Sequence, residues 1–160
     1  ADFHRNGTLD ILISIMSYNG GQLPREEIRS ILEIRGVMMA FALESAIPRI
    51  TQEQIDELSA QSEAFARAKG AEEAAQLIYE FDHMLSAFSD NTLLPLFFCS
   101  FKTPIKELWR RYVTRNGVGI LKHRNDELLE CIARKDVACA KRVIADSIAE
   151  TISGRTEIYS

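Results

Sequence analysis

Apolar residues recur along this chain at intervals of three and four, the period of an amphipathic helix. Strand-type alternation over several residues is absent. Thr8 can cap a first helix from Leu9 to about Tyr18, which Gly20 and Gly21 end. Pro24 falls at a first-turn position ahead of Glu26 and Glu27, and opens a second helix that stops before Ile47-Pro48. Thr51 and Gln54 form a capping-box pattern for the third, with Gly70 as its predicted end. The fourth runs from about Ala71 to Phe88, where Ser89-Asp90-Asn91 signals a turn. A fifth spans about Pro95 to Val113, and Pro104 inside it predicts a kink or break. After a loop at 116–119, the sixth covers about Ile120 to Ala133. Asp136 caps the seventh, which ends near Gly154, and the last six residues read as a loose tail. Seven helices with short connections make an all-α antiparallel bundle, a single domain over 1–160.

Four of these helices carry a polar residue inside the apolar stripe. Arg35 lies four residues after Ile31 and four before Met39. Asp82 lies four after Ile78 and three before Leu85, and Asn125 four after Leu121 and three before Leu128. Ser147 falls among Val143, Ile144, Ile148 and Thr151. A buried hydroxyl or amide without a partner costs on the order of 1–3 kcal/mol, and an unpaired charge more, so these groups must find each other, water or a ligand. If the stripes converge, they line a small polar cavity inside the bundle. Arg35 is then the anion anchor, since a guanidinium grips a carboxylate through two parallel hydrogen bonds. Asp82, Asn125 and Ser147 form the hydrogen-bonding wall, and Tyr79 completes it. The ligand class is a small organic acid or the polar head of an acyl compound. The bland alternative is that Arg35 and Asp82 pair only to fix helix register, while Asn125 and Ser147 bond backbone carbonyls.

Composition narrows the classes. With 160 residues, 46% hydrophobic, eight Gly and four Pro, the chain is neither disordered nor of low complexity. A net charge of −4 gives no basic footprint for nucleic acid. No run of about 20 apolar residues is present to span a membrane, and the start lacks a signal-peptide pattern. Cys99, Cys131 and Cys139 are odd in number and widely spaced, which predicts reduced, buried thiols and a cytoplasmic setting. His4, His83 and His123 lie on separate segments, so no imidazole pair favours a transition metal, and no metal or cofactor is predicted. The nucleophile-elbow, P-loop, zincin and dinucleotide fingerprints are all missing, which argues against an enzyme.

The order of segments resembles the effector-binding, all-helical FCD domain of the GntR family of bacterial transcription regulators, most closely its FadR branch. The likeness covers about Asn6 to Gly154. NGTLDILISIM resembles the extra first helix of seven-helix members, and ILEIRGVMMAFALESA the helix that carries the family's arginine, here Arg35. DHMLSAFSDNTLL matches a further segment, with Asn91 at the family's asparagine, and NDELLECIARKDVACAKRVIADSI matches another. Many members hold a divalent metal through an Asp and three His. Those positions fall on Ile78, Asp82, Asn125 and Ser147, and none keeps its family residue. The resemblance therefore implies a metal-free effector pocket in a homodimeric regulator. DNA contact is expected only through an N-terminal winged-helix domain absent from this chain. Trp109, Arg110, Arg111 and Tyr112 are candidates for an interface or a pocket wall. The rival readings are a helical interaction module without ligand and a metal-binding sensor variant.

Overall fold

Helix boundaries follow local chemistry in the computed structural model, which describes residues 25–153. Its helices are α1 (Arg25–Ala46), α2 (Gln52–Ala66), α3 (Ala71–Ala87), α4 (Leu94–Ser100), α5 (Lys102–Asn116), α6 (Gly119–Ala133) and α7 (Val137–Ile152). No strand occurs among the described residues. The expected first helix, Leu9 to Tyr18, and the expected tail lie outside them. At α2 the capping box is complete: Thr51 Oγ1 accepts from the Gln54 amide at 3.1 Å, and Gln54 Oε1 accepts from the Thr51 amide at 3.1 Å. Asp136 caps α7 by accepting from the Cys139 amide at 3.0 Å.

Three local expectations need correction. The fifth predicted helix is two helices. The break comes at Phe101, not at Pro104, which falls in the first turn of α5. A proline there loses no helical hydrogen bond, because first-turn amides have no carbonyl to reach. Gly70 does not close α2, which ends at Ala66. With φ of 119° it leads into α3 instead. Finally, the thiols are not a set of reduced, buried groups. Cys131 and Cys139 are joined in a disulfide, and Cys99 is free and exposed. The cause is the tight turn between α6 and α7. Lys135 adopts φ of 59°, and the Asp136 amide donates back to the Cys131 carbonyl at 2.9 Å. That folds the first turn of α7 onto the end of α6 and brings the two Cα atoms to 5.6 Å, inside disulfide range. The thiol argument for a cytoplasmic setting is thereby removed.

α3 packs against α1, α2, α4 and α5, while α7 packs on α1 and α6, and α6 on α2. Side chains of these helices form two apolar clusters. One gathers Ile28, Leu32, Phe65, Ile78, Trp109, Tyr112 and Leu121. The other gathers Met39, Leu43, Leu58, Phe81, Leu85, Phe98, Leu128, Ile132 and Ile144. Each long stripe contributes to both. On α1 the crossover falls between Leu32 and Met39, on α3 between Tyr79 and Phe81, and on α6 between Leu121 and Leu128. On α7 it falls between Ile144 and Ile152. Arg35, Asn125 and Ser147 fall within these intervals, and Asp82 follows Phe81, directly after the switch on α3. Each of these four helices thus carries its polar residue at or next to the boundary between the two hydrocarbon clusters, the polar seam.

Replacing Thr51 with Ala removes the cap of α2 and is expected to cost about 1 kcal/mol. In a domain of this size that is a fall in Tm of roughly 2–4 °C in calorimetry. An unchanged Tm would show that α2 is held by packing alone.

Candidate functional site

The seam is organised by one charge pair. Arg35 donates from Nε to Asp82 Oδ2 at 2.8 Å and from Nη2 to Asp82 Oδ1 at 3.1 Å, a two-pronged contact. Arg35 is 6% exposed and Asp82 1%. The guanidinium also lies over the Trp109 ring, 4.8 Å from its centre, where the face of the indole attracts a cation. Burial pushes the Asp82 carboxyl above the usual carboxylate range, and the guanidinium opposes that shift. The two residues come from α1 and α3 and the indole from α5, so one buried contact fixes three helices in register.

Around this pair the donors are not all satisfied. Asn125 is buried on α6, and its Nδ2 has no hydrogen-bond partner. The Trp109 Nε1 and Tyr112 hydroxyl are likewise buried without partners. Ser147 on α7 is half-buried, and its carbonyl accepts from Thr151 Oγ1 at 2.9 Å. Neither Asn125 nor Ser147 hydrogen-bonds to Arg35 or Asp82. A small cavity of about 80 Å³ adjoins Arg35, lined by Glu27, Ser30, Ile31, Ile34, Phe101 and Ile105. Glu27 Oε2 is buried there without a donor.

Tyr79 faces elsewhere. It lies on α3 but lines a more open cavity with His83, Cys99 and Lys102. Its hydroxyl is buried and makes no hydrogen bond. Burial raises its pKa, and the adjacent Cys99 thiol and the Asp82 carboxylate raise it further. Of the five residues singled out in the sequence, the structure therefore joins Arg35 to Asp82, leaves Asn125 and Ser147 without a hydrogen bond to either, and turns Tyr79 to another opening. Trp109, named in the sequence as a candidate interface or pocket-wall residue, is the roof over the guanidinium, a role its apolar helix position did not specify. Trp109 and Tyr112 are core residues, and Arg110 and Arg111 both bind Glu107, at 2.6 and 3.0 Å.

The four family metal positions do not make a metal site. Ile78 has no donor atom, and both Asp82 oxygens are engaged by a guanidinium whose charge repels a cation. A larger apolar groove, about 830 Å³, runs between α1 and α7 past Gly36, Val37, Ile148 and Ile152. A Cβ at Gly36 would meet Ile148 Cδ1 at 2.5 Å, so the glycine lets the two helices approach.

The family model described as the FCD domain matches residues 30–150. No curated protein and no solved structure matches the chain.

Truncating either member of the buried pair leaves the other charge unmatched. Arg35→Ala or Asp82→Ala is expected to cost about 3–5 kcal/mol in urea unfolding. The double change Arg35→Met with Asp82→Leu is expected to recover most of that loss. A double variant no more stable than either single one would mean that the pair contributes net stability of its own.

Proposed function

The chain belongs to the FCD domain family, the C-terminal effector-binding domain of GntR-family regulators, and we propose that it is the ligand-sensing, dimerising domain of a FadR-type regulator. The ligand is a small organic acid or acyl compound received at the polar seam. The observation that carries this reading is the seam itself: four helices bring a polar residue to the boundary between two hydrocarbon clusters, and one of these residues, Asn125, has a buried donor left over. A filled core has no use for such a donor, because it costs on the order of 1–3 kcal/mol.

Arg35 and Asp82 fix what such a ligand must do. The guanidinium's two-pronged contact is already made within the protein, so an anionic group must share or replace Asp82. Sharing a guanidinium moves α1 against α3, the helices that carry the pair. Binding thereby favours one arrangement of the bundle over another, provided that the ligand's affinity differs between them. Asn125 and Ser147 add hydrogen bonds from α6 and α7. Tyr79 joins this wall only if its side chain turns from the cavity it now lines. In this reading the domain controls DNA binding by a winged-helix domain, and the setting is the cytoplasm, where a regulator meets both DNA and metabolites. Among the described residues no helix is long and apolar enough to cross a membrane.

Pairing of two copies belongs to the same reading. Ile34, Val37 and Phe41 form an exposed apolar stripe on α1, and Val37 is 71% exposed. Such a stripe on a long helix suits a self-complementary contact. Light scattering is expected to report a dimer, and Val37→Glu a monomer. A wild-type monomer removes pairing from the proposal.

Thermal-shift measurements with a series of carboxylates and acyl compounds test the sensor. A ligand at about 100 times its Kd is expected to add roughly 2.7 kcal/mol of stability. Asn125→Leu, which keeps the ion pair, is expected to abolish most of that gain. A gain that survives both Asn125→Leu and Ser147→Ala places the ligand away from the seam and overturns the assignment.

A further inference from the structure

A second opening lies on the other side of α3. It is a cavity of about 490 Å³ whose walls include Tyr79, His83 and Met84 of α3, Cys99 of α4 and Lys102 at the start of α5. The Cys99 thiol is free and exposed, and its sulfur stands 3.6 Å from His83 Nε2. The imidazole stacks on Tyr79, with ring centres 6.0 Å apart. Lys102 Nζ lies 5.4 Å from the centre of the same phenol ring. The only carboxylate lining this cavity, Glu80, is already held by the side-chain amides of Gln61 at 2.9 Å and Gln76 at 2.7 Å. The Lys102 ammonium also lines this cavity. Tyr79 is 4% exposed, and its buried hydroxyl has the Cys99 sulfur as its neighbour, without a well-formed hydrogen bond to it.

We propose that this cavity is a covalent capture site, in which Cys99 adds to a small α,β-unsaturated carbonyl compound. The parts match the demands of that addition. His83 Nε2 takes the thiol proton. The sulfur, charged as the proton leaves, becomes a stronger acceptor for the adjacent Tyr79 hydroxyl. The sulfur lone pair forms a bond to the β-carbon, and the C=C π pair moves toward the carbonyl to give an enolate. Lys102 faces the negative oxygen as it develops. The imidazolium then returns its proton to the α-carbon, leaving a neutral thioether. Every atom and electron comes from thiol and electrophile, so neither oxidant nor reductant is required. A metal is a poorer occupant, since no group of three His, Cys, Asp or Glu side chains able to hold one occurs among the described residues. This site does not depend on the Arg35–Asp82 seam, and either assignment can fail without the other.

The test uses the whole chain under non-reducing conditions, with methyl vinyl ketone as probe. Iodoacetamide is the reference, because its displacement reaction develops no enolate. Tandem mass spectrometry is expected to find one adduct, on Cys99, and none in Cys99→Ser. The enone rate is expected to exceed that of N-acetylcysteine about tenfold at the same pH. His83→Gln is expected to slow both reagents by about tenfold and to change the pH–rate profile. Lys102→Met is expected to lower the ratio of the enone rate to the iodoacetamide rate by about tenfold, and Lys102→Arg to restore it. Circular dichroism confirms that each variant is folded. A wild-type rate no faster than N-acetylcysteine overturns the proposal, as does a rate ratio indifferent to Lys102→Met.

Discussion

The contact between Arg35 and Asp82 constrains everything else in the bundle. Two opposite charges, both nearly sealed from solvent, are tolerable only in each other's company. Their requirement dictates where α1 and α3 cross, and the Trp109 ring pressed over the guanidinium extends the constraint to α5. A hydrocarbon pair of similar size would hold the helices as well or better. What the charges add is direction: a helix slipped by one turn would leave an uncompensated ion in the core, at a cost of several kcal/mol. The two apolar clusters are then assembled on either side of a fixed polar layer.

That layer also bears on the metal positions that the resemblance assigns to Ile78, Asp82, Asn125 and Ser147. With isoleucine at one ligand position and a guanidinium on the carboxylate at another, the seam no longer suits a cation. It retains hydrogen-bonding capacity, because Asn125 has a spare buried donor and Ser147 stands at the same crossover. Its electrostatic character is mixed and nearly neutral, since the Arg35 and Asp82 charges offset each other. In the proposed reading, an arriving anion competes with Asp82 for Arg35, and that competition carries binding into helix packing. α3 has chemistry on two sides, since Tyr79 and His83 turn toward Cys99 while Asp82 turns toward Arg35.

Much of the fold was legible in the residues because helix signals are local. Period, caps and proline positions act within a few residues of themselves, and so the boundaries of α1, α3, α6 and α7 follow from them closely. The misplaced features have physical reasons. Pro104 reads as a break inside a helix, but an imino nitrogen is just as acceptable in a first turn, and only the packing of Phe98 and Ile105 into different clusters decides between these. The Cys131–Cys139 bond depends on Lys135 accepting a left-handed backbone, a conformation no one expects of lysine.

By itself the sequence determined the helices, their apolar stripes, the family and the four polar residues that interrupt those stripes. Each is a property of spacing along one chain. Only the tertiary structure decided which interruptions meet. Arg35 and Asp82 are 47 residues apart, and nothing local says that they will bond rather than share a guest. Nor does local pattern say that Tyr79, one helical turn before His83, will face a thiol from α4 instead of the buried pair. Partnership between distant side chains is set by the way whole helices pack, and that is a sum over many weak contacts which no short stretch of sequence contains.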